Sequence, residues 1–197
     1  FCSCQHYETG YYAAFRDMAT QPLDFVVHLG DYIYEYAADT AVPAGRRHTG
    51  AEIASVEDYR NRYALYRLDR DLQDTHAAFP FITTWDDHEV DNNYAGLVPE
   101  DNQSAAEFLA RRRNAYQVYA ETMPLRSLVR ARGGSMNLYR ELRFGDLAHF
   151  NVLDTRQYRS DQVCGDGLVV LQACQDMLDD TNTMLGDRQE RWLFRNL

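Results

Sequence analysis

An α/β class with a mixed sheet follows from three features of the 197-residue sequence. Two short apolar runs, Leu23–Leu29 and Phe81–Trp85, each stop abruptly at acidic residues, as buried strands do when they deliver a polar loop to one edge of a sheet. Stretches with helical spacing lie between and beyond these runs. Two alternating segments around Gly145-Asp146 read as an antiparallel hairpin, so parallel and antiparallel pairing are both expected.

The elements are justified in chain order. Gly10 to Thr20 has the aromatic and alanine spacing of a helix, and Leu23–Leu29 is a strand ended by Gly30-Asp31. From Ser55, with Asp58 three residues on as a capping pair, Tyr59, Tyr63, Tyr66 and Leu72 repeat at helical spacing, which predicts one long helix ended by Pro80. Phe81–Trp85 is the second buried strand, and Ala105 to Glu121 a further, arginine-rich helix before Pro124. A glycine-containing loop through Gly133-Gly134 leads to the hairpin, Asn137–Phe144 and Ala148–Asp154. A polar tail from Thr155 to Thr183 precedes a last helix beginning near Leu185.

A hydrophobic content of 45% is enough for the core of one domain, and disorder is excluded for most of the chain. The net charge of −10 disfavours stable binding of nucleic acid. All twenty basic residues are arginine, so Schiff-base and P-loop lysine chemistry are excluded. No run has the length of a membrane span and no segment has the form of a signal peptide. The chain begins at Phe1 and ends within an amphipathic pattern, which reads as a domain cut at both ends. Of four cysteines, Cys164 and Cys174 enclose a short loop and fit either a disulfide in an oxidising compartment or two free thiols.

Three strings carry chemistry. Gly30-Asp31-Tyr32-Ile33-Tyr34-Glu35 follows a buried strand, where a carboxylate and a tyrosine three residues later can reach one metal; its plainer reading is a Gly-Asp turn with core tyrosines. Trp85 to Asn93 packs four acids, a histidine and two amides into nine residues, an oxygen-rich set suited to hard cations, or else a solvated acidic loop. An EF-hand beginning at Asp91 fails, because Ala95 stands where an oxygen ligand is required and Asn102 where the closing Glu belongs. Cys4, in Ser3-Cys4-Gln5, is either an inert thiol or a ligand for iron or zinc beside the hard ligands; Cys2, one strand step away, faces elsewhere.

In this order the strings resemble the metallophosphoesterase superfamily, and in detail the alkaline phosphatase D family, through SCQ, GDYIYE and WDDHE followed by DNN. The resemblance extends to Leu153-Asp154-Thr155-Arg156-Gln157-Tyr158-Arg159 and to the Leu185-Gly186-x-x-Gln189-x-x-Trp192-Leu193 segment, nearly the whole chain. It implies a metallophosphoesterase-like sandwich of mixed β-sheets flanked by helices, with residues 1–197 the N-terminal part of one metallophosphatase catalytic domain. It also implies a ferric ion on Cys4, Asp31 and Tyr34, Asp31 bridging to calcium, Asp87 on the second metal, and His88 contacting phosphate or protonating the leaving oxygen, so that Asp87 and His88 are the catalytic pair. Asp86, Asn92 and Asn93 would shape the site or supply outer ligands, and Arg156 is either a phosphate clamp or a structural ion-pair partner.

The expected activity is hydrolysis of phosphate monoesters or diesters by a metal-activated water, in a secreted or periplasmic protein acting on small-molecule, lipid or nucleotide phosphoesters. The alternatives are a phospholipase D-like phosphodiesterase and a non-catalytic metal-binding fragment. The superfamily's later VxxH-like and GHxH-like blocks have no counterpart, which makes an incomplete metal set the expectation. His28 is expected in the core, and His48 and His76 in solvent.

Overall fold

Strand β1 (Val26–His28) pairs in parallel with β2 (Phe81–Thr83), in the register Val26 with Phe81 and His28 with Thr83. The computed structural model describes residues 1–41, 45–100, 103–126, 129–164 and 174–197. Both strands are shorter than their apolar runs. The helical segment expected over Gly10–Thr20 contracts to α1 (Ala13–Met18), which follows a 3-10 turn at Tyr7–Thr9.

The expected long helix is two helices, α2 (Val56–Tyr66) and α3 (Arg70–Ala78). Ser55 and Asp58 form a reciprocal capping box at the start of α2. Asp69 takes an extended conformation and its carboxylate accepts from Leu72 N at 3.1 Å, so a strong N-cap residue restarts the helix where periodicity alone continues it. α4 (Ala105–Thr122) is capped in the same way by Ser104 and Glu107.

The core between these helices and the β1–β2 pair is aromatic. Tyr59, Tyr63 and Tyr66 of α2 and Phe108, Tyr116 and Tyr119 of α4 are fully buried, and Trp85 stacks on Tyr116 with ring centroids 4.2 Å apart. Within it Tyr59 donates to Val90 O at 2.6 Å and Tyr94 and Tyr116 share a bond of 3.2 Å, while among the described residues the Tyr63 and Tyr119 hydroxyls find no partner. α4 thus packs over the strand end that carries Trp85-Asp86-Asp87.

Parallel and antiparallel pairing both occur, but among the described residues they form separate two-stranded ladders and not one mixed sheet. The segment read as a glycine loop is itself a small hairpin, β3 (Ala131–Arg132) with β4 (Ser135–Met136), turned through Gly133 and Gly134 at φ +58° and +85°. The expected hairpin is β5 (Arg140–Phe144) with β6 (Ala148–Val152), and α5 (Gly186–Asn196) closes the chain. Part of the polar tail lies outside the described residues, but Cys164 and Cys174 are joined as a disulfide. No helix among the described residues is long and apolar enough to cross a membrane.

Candidate metal centre

Because β1 and β2 run in parallel, their carboxyl ends lie at one edge, and the loops that follow begin with Gly30-Asp31 and Asp86-Asp87. The N-terminal segment joins them: Cys2 bridges to His28, Cys4 N donates to Gly30 O at 3.1 Å, and Gln5 N to Asp31 O at 3.1 Å. Three strings far apart in sequence therefore meet in one place. Gly30, at φ +116°, allows the contact; a Cβ there would lie 2.3 Å from Asp86 N.

Buried Glu89 fastens the two strand ends together. Its Oε1 accepts from Tyr32 N at 2.6 Å and its Oε2 from Asp86 N at 2.9 Å. Burial outweighs these bonds and raises its pKa to about 8. Cys4, Asp31 and Asn93 take positive φ, 56°, 56° and 48°, so three non-glycine residues in left-handed backbone cluster at this edge.

Asp31 sits at the centre and is 6% exposed. Its Oδ2 accepts from the Tyr34 hydroxyl at 3.2 Å, Cys4 lies beside it, and its buried Oδ1 has no hydrogen-bond partner among the described residues. Ligand atoms of Asp31, Asp87 and His88 all lie within 4.8 Å of one another. Asp87 Oδ2 accepts from Asn93 N at 2.7 Å, and His88 Nε2 stands 3.8 Å from the same oxygen. Burial raises the pKa of Asp31, an effect the neighbouring His88 offsets only in part, and partial burial raises that of the exposed Cys4.

The donor set fits a cation on chemical grounds. A buried carboxylate with an unsatisfied oxygen converges with a second carboxylate and an imidazole, a phenol donates to it, and the exposed Cys4 thiol lies beside it outside that tightest group; a positive ion would stabilise the anionic forms that burial alone disfavours. A thiol with a phenol suits a higher-charge or softer ion, and the carboxylates suit a hard one.

His88 is oriented by groups the sequence reading left unassigned. Its Nδ1–H donates to Glu35 Oε2 at 2.8 Å, with the Glu35 side chain fully buried, and its ring stacks on Tyr34 with centroids 4.1 Å apart. Burial opposes the charged imidazolium, yet the hydrogen bond and charge of Glu35, helped by Asp87 and Asp31, raise the His88 pKa to about 9. Glu35 and Glu89 belong to the two motifs that were read, but nothing in their spacing marks them as supports. Only the folded contacts separate them from the ligands.

Asp86 is half-buried and pairs with Arg156 Nε at 2.6 Å; the same guanidinium reaches Asp87 Oδ1 at 3.0 Å and Asn93 Oδ1 at 3.1 Å. Arg156 is thus an ion-pair partner that fixes three residues of the loop. Its own backbone is held by buried Asp154, whose Oδ1 also accepts from Trp85 Nε1 at 2.9 Å. Asn92 turns away: its N–H donates to Glu35 Oε1 at 2.6 Å and its amide to Glu100.

Two histidines depart from expectation. His48 is 3% exposed and not in solvent, because Tyr66 and the Tyr36 carbonyl fill both ring nitrogens. His76 is half-buried, stacked on Phe81 at 3.9 Å and bonded to the Tyr32 hydroxyl at 2.8 Å. His6, Glu8 and His48 also cluster, but Glu8 accepts backbone N–H groups from Asp39 and His48, and His6 Nδ1 accepts from Glu8 N, so the donors are committed to the fold.

A family model described as PhoD-like phosphatase matches residues 1–197. Among curated relatives, alkaline phosphatase D of Bacillus subtilis is 52% identical over 200 residues, covering 100% of this chain and 34% of the relative. The solved structure titled "Structure of PhoD" superposes with a TM-score of 0.94 at 52% identity, covering 100% of this chain and 38% of that one. The chain therefore spans about a third of the length of the proteins it matches. With the family model matching from end to end, this chain belongs to the PhoD-like phosphatases.

Proposed function

We propose that the protein is a metal-dependent hydrolase of phosphate monoesters and diesters, with Cys4, Asp31, Tyr34 and Asp87 as metal ligands for ferric iron and calcium. The observation that carries this reading is the buried, unpartnered Oδ1 of Asp31, set among a thiol, a phenol, a second carboxylate and a histidine. When bound, such ions withdraw electrons from the phosphoryl group and acidify water near neutral pH.

The chain's own residues do the rest. Cys4, Asp31 and Asp87 fix where the reacting phosphate is held, and Arg156 and Asn93 keep the Asp87 carboxylate in one orientation. Water oxygen bonds to phosphorus as the bond to the ester oxygen breaks; the electron pair goes to that oxygen, which takes the proton from His88 Nε2, and the proton given up by the water restores the imidazolium. Glu35 holds Nδ1–H, which leaves Nε2 as the nitrogen that faces the site. The Cys164–Cys174 disulfide favours a secreted or periplasmic setting, where such bonds persist. A sandwich completed by further chain is the architecture this reading expects.

Elemental analysis of the purified protein, combined with hydrolysis of a chromogenic phosphate monoester and diester, tests the reading. Iron and calcium with turnover of either ester are expected. Bound metal with no turnover would mark a non-catalytic metal-binding fragment, and neither metal nor turnover would overturn the site assignment.

A further inference from the structure

We propose that Tyr36 is a platform for the departing alcohol, so that this site favours phosphoesters of neutral, planar aromatic alcohols; the inference rests on the hydrolase reading and names its substrate class. Tyr36 follows Glu35 directly, and its ring lies edge-on to His88, with centroids 5.3 Å apart and planes at 66°. His88 also stacks against Tyr34 at 4.1 Å, and the Tyr34 and Tyr36 centroids lie 6.4 Å apart. The imidazole that protonates the leaving oxygen therefore touches two phenols, one stacked and one edge-on, and these differ in exposure. Tyr34 is half-buried, whereas Tyr36 is 37% exposed.

The position of Tyr36 is built and not incidental. Backbone N–H groups of Tyr7 and Tyr34 donate to the Tyr66 oxygen at 3.2 and 3.1 Å, which turns the Tyr66 hydrogen toward His48 Nε2 at 2.9 Å. His48 is thereby left with Nδ1–H, which donates to the Tyr36 carbonyl at 3.0 Å. A buried tyrosine and a buried histidine thus pin the backbone of Tyr36, while among the described residues none of the hydrogen bonds uses its hydroxyl. A pinned backbone carrying a bare, partly exposed ring beside the proton donor is the arrangement a stacking surface requires.

The surroundings choose the kind of group that stacks. The carboxylates of Glu35, Glu100, Asp87 and Glu52 stand around the Tyr36 hydroxyl. The same carboxylates repel an anionic leaving group such as a phosphate chain. An uncharged aromatic ring meets neither repulsion nor an unsatisfied polar partner.

The test compares the metal-loaded wild type with Tyr36→Ala and Tyr36→Phe. The kcat/KM values for phenyl phosphate and glycerol phosphate give an aryl-over-alkyl preference, and calorimetric dissociation constants for phenylphosphonate and methylphosphonate give the same ratio without turnover. Both ratios are expected to fall about tenfold in Tyr36→Ala and to persist in Tyr36→Phe. A Tyr36→Ala protein with the wild-type preference overturns the platform, as does an equal loss on both ligands. A wild type that hydrolyses neither ester overturns the hydrolase reading instead, and the phosphonate ratio then still decides the platform.

Discussion

Glu35 and His88, fifty-three positions apart in sequence, form a hydrogen bond of 2.8 Å in which a fully buried carboxylate holds Nδ1 of a half-buried imidazole. The same carboxylate accepts from Asn92 N at 2.6 Å, so it cannot swing away without freeing the acidic loop. Glu35→Gln removes the charge and one of its two acceptor oxygens, so either His88 or Asn92 loses its partner. It is expected to lower kcat roughly 10- to 100-fold, with metal content unchanged by elemental analysis. Loss of metal in step with activity would instead place Glu35 among the ligands.

Asp31→Asn should abolish turnover and leave the fold intact. Asparagine tolerates the left-handed backbone that Asp31 adopts at φ 56°, and the exchange removes a buried charge whose Oδ1 has no partner. The metal-free variant is expected to melt at the wild-type temperature or above it while binding far less metal. Near-wild-type activity in this variant would falsify the site assignment.

Asp154→Ala strikes the mount behind the acidic loop. Its carboxylate accepts from Trp85 Nε1, Arg156 N, Gln157 N and Gln157 Nε2 at 2.9 to 3.1 Å, and all four donors lose their partner in the variant. A destabilisation of about 3–5 kcal/mol is expected in urea unfolding. A cost below about 1 kcal/mol would show that water or repacking replaces these bonds.

Gly30→Ala is expected to lose both stability and metal. The new Cβ would stand 2.3 Å from Asp86 N, and alanine is strained at φ +116°. The loops carrying Asp31 and Asp87 would have to separate. A variant with unchanged melting temperature and metal content would show that this close approach does not set the ligand spacing.

Acid should destabilise the fold through two histidines away from the ligands. Burial, with the charge of His76, depresses the pKa of His28 to about 3, and burial with Arg67 depresses that of His76 to about 4. His28 faces Gln5 and Tyr32, and His76 faces Tyr32, Arg67 and Phe81, so no carboxylate offsets the penalty in these contacts. Both titrate near 6.5 when unfolded, so below that pH the unfolded chain binds more protons. Stability is complete above pH 6.5 and falls as pH drops toward 4, by about 1.4 kcal/mol per unit for each group. His76→Gln should show a shallower fall of the urea midpoint between pH 6.5 and 5; an equal slope would exclude His76 as a source.

Sequence alone determined the local parts of this protein. Two apolar runs ending in acids, the capping box at Ser55, and the β5–β6 hairpin were all legible, because caps, turns and strand alternation are set by neighbouring residues. The motif residues Asp31, Tyr34, Asp87 and His88 were legible as a set through their order along the chain. Local competition hid the rest of the secondary structure: Asp69 as an N-cap broke a helix that periodicity ran straight through. Tertiary structure alone decided what each acid does. Asp31, Glu35, Asp87 and Glu89 are near-equivalent as letters, yet one keeps an orphaned oxygen, one orients an imidazole, one is clamped by Arg156, and one fastens two strand ends. Burial, partner and backbone angle are properties of the packed chain, and these sort a carboxylate left with an open oxygen from a carboxylate that holds the fold.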